Sequence, residues 1–158
     1  MEPKNAMMEE KMVVSRITIK ADAAVIWNVL VNPAETKKYM FGCETVSDWK
    51  PGSPLLWRME HEGKELVAVK GSIVEIDPPR RLVYTVFDPN NAAMEDIPAN
   101  YLTVSYDLTP GNGETILTVT QGDYNTVADG EKRYREAYNN GEGWNPILVQ
   151  IRDIAEGG

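Results

Sequence analysis

The chain has 158 residues, 42% hydrophobic and 25% charged, a size and balance that suit one globular unit with a real core and no covalent staples. Its 24 acidic against 16 basic residues leave a formal charge of -8, which disfavours a phosphate backbone or an anionic membrane surface as partner. One cysteine, Cys43, excludes an intramolecular disulfide or a cysteine-based metal cluster and leans towards a reducing compartment.

Residues 1–11, MEPKNAMMEEK, show no period and no apolar h-region, so they read as a flexible tail rather than a secretory signal. No apolar run reaches the roughly 20 residues a spanning helix needs. Together these features lead to the expectation of a cytoplasmic protein with one domain over residues 12–158. Met12 to Lys20 has Val13, Ile17 and Ile19 on one parity and reads as a strand. Asp22 follows as a helix cap whose carboxylate can accept an orphan N–H, and Ala23 to Val31 is apolar on most sides. Asn32, Pro33 and Glu35 then start a second short helix: a capping amide, proline at the first position and an acid three residues after the cap. It ends near Met40.

From Cys43 the pattern changes to strands. CETVSDW is short, Pro51-Gly52 turns the chain, and Leu55, Trp57, Met59 and His61 alternate with Leu56, Arg58 and Glu60. Glu62-Gly63 turns it back into a long strand, Lys64 to Ile76, with Gly71 inside it at an expected bulge or bend. Asp77-Pro78-Pro79 stops that strand, and Leu82, Tyr84 and Val86 alternate in the next. Asp88 to Pro98 is an irregular acidic loop. Tyr101 to Leu108 and Thr115 to Gln121 pair across the PGNGE turn. From about Ala128 the composition is helical, interrupted by Asn139-Asn140-Gly141, Gly143 and Pro146. Trp144, Leu148, Ile151 and Ala155 then share one face.

Strands joined by short turns pair as an antiparallel meander. One late helix cannot cover six or seven strands unless the sheet curls around it, and the curl leaves space between sheet and helix, where ligands sit in such architectures. Parity turns Trp57, Met59, Val69, Tyr84, Tyr106, Val119, Trp144 and Leu148 towards that space as walls, with His61 and Gln121 as polar contacts. Buried Tyr and Trp need partners for their polar ends, so these aromatics suit a half-polar cavity or a filled core. His61 reads either as a proton shuttle or ligand anchor, or as an exposed residue beside the Glu62-Gly63 turn. Glu60, Glu62 and Glu65 read as a solvated hairpin rim, and the spacings match no zinc site. Arg80 and Arg81 read as partners of surface acids or as an anion site. Gly111-Asn112-Gly113 lacks the Lys-Ser/Thr of a phosphate loop. No paired catalytic set appears, and no cofactor is called for.

Four stretches carry a resemblance over nearly the whole chain. They are I-x-A-D-A-A-V-I-W-N-V-L with N-P-A-E behind it (Ile19 to Glu35), V-x-G-S-I-V-E-I-D-P-P-R-R-L-V-Y-T (Val69 to Thr85), the strand pair L-T-V-S-Y-D-L-T-P and T-I-L-T-V-T, and G-W-x-x-I-L-x-x-I (Gly143 to Ile151). In this order the chain resembles the activator of heat shock protein 90 ATPase homologue-like domains of the SRPBCC, START and birch-pollen-allergen superfamily. The resemblance implies an α+β helix-grip fold and much less about activity, because such folds host stress-response, ligand-binding and enzymatic relatives. Relatives often carry a polar residue such as His at the end of the last strand, where this chain has Gln121. The leading expectation is a domain that binds a small apolar or amphipathic molecule. A chaperone or other protein partner comes second and a small-molecule enzyme last.

Overall fold

The computed structural model describes residues 11–157. The tail expected over residues 1–11 lies outside them except for Lys11, whose backbone N–H donates to Asp123 Oδ1 (2.9 Å) and whose carbonyl accepts from Tyr124 N–H (3.0 Å). Seven strands form one antiparallel sheet: β1 (Val13–Ile19), β2 (Glu44–Ser47), β3 (Pro54–His61), β4 (Lys64–Asp77), β5 (Arg81–Val86), β6 (Leu102–Pro110) and β7 (Thr115–Gly122), in the order β1-β7-β6-β5-β4-β3-β2. The meander runs from β2 to β7, and β1 closes on β7 with Val13 opposite Gln121 and Ile19 opposite Thr115. Helices α1 (Ala23–Val31) and α2 (Pro33–Tyr39) follow β1, and α3 (Gly130–Tyr138) and α4 (Asn145–Ala155) end the chain. This is the α+β helix-grip architecture. No helix among the described residues is long and apolar enough to cross a membrane.

The helix starts differ in chemistry. Asn32 caps α2 with its side-chain oxygen accepting from Ala34 N–H at 2.9 Å, and Pro33 fills the first helical position. Asp22 stands at the cap of α1, but its carboxylate makes no capping bond; its backbone carbonyl accepts from Val25 and Ile26 instead. The late helix is two helices. Between them Asn139–Gly141 forms a single 3-10 turn, and Pro146 falls in the first turn of α4, where its missing N–H costs nothing. Gly143 makes the break possible. Its φ is +50°, and a Cβ there would stand 2.6 Å from Ser15 Oγ, the atom that accepts the Trp144 backbone N–H at 2.9 Å. Ser15 thus pins the start of α4 to β1.

The core lies between the sheet and α1 and α4. Ile19, Ile26, Leu117, Leu148 and Ile151 are fully buried there, each stabilising the fold by about 1.5–3 kcal/mol relative to exposure. A smaller cluster of Val13, Leu102, Tyr124 and Val127 packs under α3. β4 is irregular twice. Trp57 opposes Val69 but Arg58 opposes Val67, leaving Ala68 extra; Ile73 opposes Tyr84 but Glu75 opposes Val83, leaving Val74 extra. Gly71 lies between these irregularities at a close approach to β5, where a Cβ would meet the Thr85 carbonyl oxygen at 1.7 Å. Arg80 pairs with Asp77, and Arg81 with Glu75 and Asp107, so both arginines that follow the prolines are engaged by surface acids.

Candidate functional site

A pocket of about 360 Å³ opens between the concave side of the sheet and the helices. Its walls rise from five strands, three connections and helix α3. β3 supplies Trp57 and Met59, β4 Ala68 and Val69, β5 Tyr84 and Val86, β6 Leu102 and Val104, and β7 Gln121. Met40, Phe41 and Cys43 come from the turn between α2 and β2, Phe87 and Asp88 from the end of β5, Arg133 from α3, and Trp144 from the start of α4. The β4 irregularity at Ala68 is what lets two successive residues, Ala68 and Val69, line the same wall.

An aromatic chain crosses the inner wall. Trp57 meets Tyr84 with ring centroids 6.1 Å apart, Tyr84 meets Tyr106 edge-on at 5.4 Å, and Tyr106 meets Trp144 edge-on at 6.0 Å. The polar ends of Tyr84, Tyr106 and Trp144 are satisfied by one another and by Gln121. The Tyr84 and Tyr106 hydroxyls share a hydrogen bond of 2.7 Å, and the Trp144 indole N–H donates to Gln121 Oε1 at 2.7 Å. Burial pushes the Tyr84 and Tyr106 phenols well above their ordinary range, and the same cause lifts Tyr39, whose hydroxyl donates to the Val29 carbonyl at 2.8 Å. Burial also raises the Cys43 thiol, which keeps it protonated and a poor nucleophile at neutral pH.

Six of the ten residues expected at the site line this pocket: Trp57, Met59, Val69, Tyr84, Gln121 and Trp144. Tyr106, Val119 and Leu148 lie in the packed core behind it, each fully buried. His61 stands apart at the β3–β4 hairpin tip, its side chain 66% exposed and Nε2 3.6 Å from the Glu62 carboxylate. The tip is exposed because Met59 to His61 pair only with Lys64 to Leu66, and β2 reaches no further than Arg58. Alternation cannot bury a residue where no helix lies above the strand. Glu60 and Glu65 oppose each other on the same ribbon, and Arg58 reaches Glu65 at 3.9 Å. No group of three or more His, Cys, Asp or Glu side chains gathers at metal-binding distance among the described residues.

Several lining residues escaped the sequence reading. Val86, Leu102 and Val104 share parity with Tyr84 and Tyr106, so a longer reading of the same stripe reaches them. Arg133 carried no signal, because α3 has no fully buried residue and only Tyr134 and Ala137, partly buried, mark its inner face.

A family model described as Activator of Hsp90 ATPase homolog 1-like protein matches residues 20–156. No curated protein matches the chain. Among solved structures, the chain is similar to ChR145 from Cytophaga hutchinsonii, at 33% identity over 94% of this chain and 97% of that one, with a TM-score of 0.73. It shares the fold of the Aha1 dimer from Colwellia psychrerythraea (17% identity, 93% and 97% covered, TM-score 0.66). It also shares that of CalU16 from Micromonospora echinospora (18% identity, 92% and 74% covered, TM-score 0.64).

Proposed function

The chain belongs to the Activator of Hsp90 ATPase homolog 1-like family of SRPBCC domains, and from that premise we propose that it binds one small, largely apolar molecule in the pocket between sheet and helices. The observation that carries this reading is the pocket's lining. Apolar and aromatic side chains form most of it, and only Gln121, Asp88 and Arg133 add polar groups. Its volume of about 360 Å³ falls within the range of roughly 300–1,000 Å³ usual for small-molecule sites. Because the Tyr84 hydroxyl and the Trp144 indole N–H are already paired, a ligand meets the faces of those rings rather than their polar ends. The wall stays apolar even though it is rich in Tyr and Trp.

The test is a titration with the uncharged fluorophore N-phenyl-1-naphthylamine, following its emission. Wild type should bind it saturably. Val69→Trp, which fills the pocket from the β4 wall, should abolish binding while the thermal transition stays cooperative. Unchanged affinity in that variant refutes the pocket as the site.

A second reading, a partner-binding module, draws on one feature. Phe41 is 80% exposed at the pocket mouth, an apolar ring presented to solvent where a protein partner could bury it. Retention of a purified Hsp90 chaperone with a change in its ATPase rate, both lost in Phe41→Ser, supports this reading. Neither effect with the wild type removes it.

A further inference from the structure

We propose that the molecule bound in this pocket carries a single anionic oxygen group, of the carboxylate or sulfonate kind, on its apolar body, and that Gln121 and Arg133 hold that group. This rests on the ligand-binding reading and specifies the class of ligand.

The argument begins with Gln121. An indole N–H can only donate, so the amide atom 2.7 Å from Trp144 Nε1 is the carbonyl oxygen, which fixes the orientation of the whole amide. The two N–H bonds of Gln121 Nε2 are left over, and no acceptor among the described residues takes them. A half-buried amide donor on an apolar wall therefore waits for an acceptor.

Arg133 makes the second point. Its guanidinium, half-buried at the same pocket, has the thioether sulfur of Met94 at 3.3 Å, a weak acceptor. No carboxylate among the described residues comes within ion-pair distance of it. Acids are not scarce: the chain has 24 against 16 bases, and Arg58, Arg80, Arg81 and Arg152 each reach one. Asp88 lines the same pocket, but its Oδ1 accepts from the Asn90 backbone N–H at 2.9 Å and it does not pair with Arg133. Its charge limits the anionic groups to one, since a second would face it across a low-dielectric pocket.

Both unsatisfied groups are donors, so an ammonium is rejected at this position. A neutral carbonyl satisfies Gln121 alone, whereas an anionic oxygen pair satisfies both with charge-assisted bonds.

Two probes with one carbon skeleton test this: 8-anilino-1-naphthalenesulfonate and the uncharged N-phenyl-1-naphthylamine. Wild type should bind the sulfonate about tenfold or more tightly than the neutral probe. Arg133→Met should remove most of that preference, read as the ratio of the two affinities in the variant against the same ratio in wild type. Gln121→Glu keeps an acceptor for the Trp144 indole but sets a negative charge where the amide donated. It should weaken sulfonate binding relative to neutral-probe binding by about tenfold or more. Equal affinity of wild type for both probes overturns the proposal and leaves the pocket reading intact. So does a preference that survives both substitutions, or sulfonate binding that persists in Val69→Trp. Failure of both probes to bind overturns the pocket reading and this inference with it.

Discussion

The space inside the curved sheet has two halves. In one, α1 and α4 lie on β1, β6 and β7, and Ile19, Ile26, Leu117, Leu148 and Ile151 fill it completely. In the other, under α3 and the turn before β2, the walls are as apolar but the middle is left open, with Trp57, Met59, Ala68, Val69 and Trp144 around a pocket. The halves share β6 and β7, and the covering differs. α4 presents a continuous apolar face, whereas α3 buries none of its residues. Apolar strand faces alone do not make a core; a helix with a matching face has to close on them. The row from Trp57 through Tyr84 and Tyr106 to Trp144 marks the boundary between the two halves.

This contrast can be pushed from the closed half first. Tyr39, Tyr84 and Tyr106 are held protonated by burial, so their folded-state pKa values lie above those of the unfolded chain. Their contribution is fully present below the unfolded pKa near 10. Above that pH the unfolded chain sheds protons that the folded chain keeps, so stability falls as pH rises towards the folded values. The slope is up to about 1.4 kcal/mol per pH unit for each tyrosine. Urea midpoints measured from pH 8 to 11 should stay flat to about 9.5 and then drop steeply. A profile flat to pH 11 removes the claim that these phenols are sealed.

Truncation compares the halves directly. Leu148→Ala leaves a hole in packed surroundings and should cost about 2–5 kcal/mol in urea unfolding. Met59→Ala enlarges a space that already exists and should cost less than half as much. Equal costs break the comparison.

At the boundary, Tyr84→Phe leaves the Tyr106 hydroxyl buried without its 2.7 Å partner and should cost about 1–3 kcal/mol. The double change Tyr84→Phe with Tyr106→Phe should cost less than the sum of the singles, a coupling a double-mutant cycle reads out. The smallest effect belongs to the exposed hairpin tip. His61→Ala should leave the melting midpoint within about 2 °C and probe affinity unchanged, as measured by calorimetry and titration.

Much of this was legible in the residues. Alternation located the strands, Asn32-Pro33 located α2, and Asn139 to Gly143 located the break between α3 and α4. Parity also chose the inner face for Trp57, Tyr84, Tyr106, Val119 and Gln121. It could not say how far along a strand the filled half gives way to the open one. Tyr106 and Val119 therefore share the pocket's face but lie in the core. The slip at Ala68 was equally silent, since Val-Ala-Val carries no breaker, while Gly71, which does, marks a close approach to Thr85. Arg133 became a site residue only once the fold brought α3 over the sheet. Asp22 shows the same limit locally: the residue suits a cap, yet the backbone carbonyl alone does the work.

The central claim is that the open half is where a small apolar molecule goes. The four tryptophans allow it to be read in one experiment, because Trp57 and Trp144 line the pocket while Trp27 and Trp49 do not. Indole N–H resonances of nitrogen-15-labelled protein would be followed during titration with N-phenyl-1-naphthylamine. The account predicts saturable shifts of Trp57 and Trp144 with Trp27 and Trp49 nearly still. Shifts confined to Trp27 or Trp49, or none at saturating probe, contradict it.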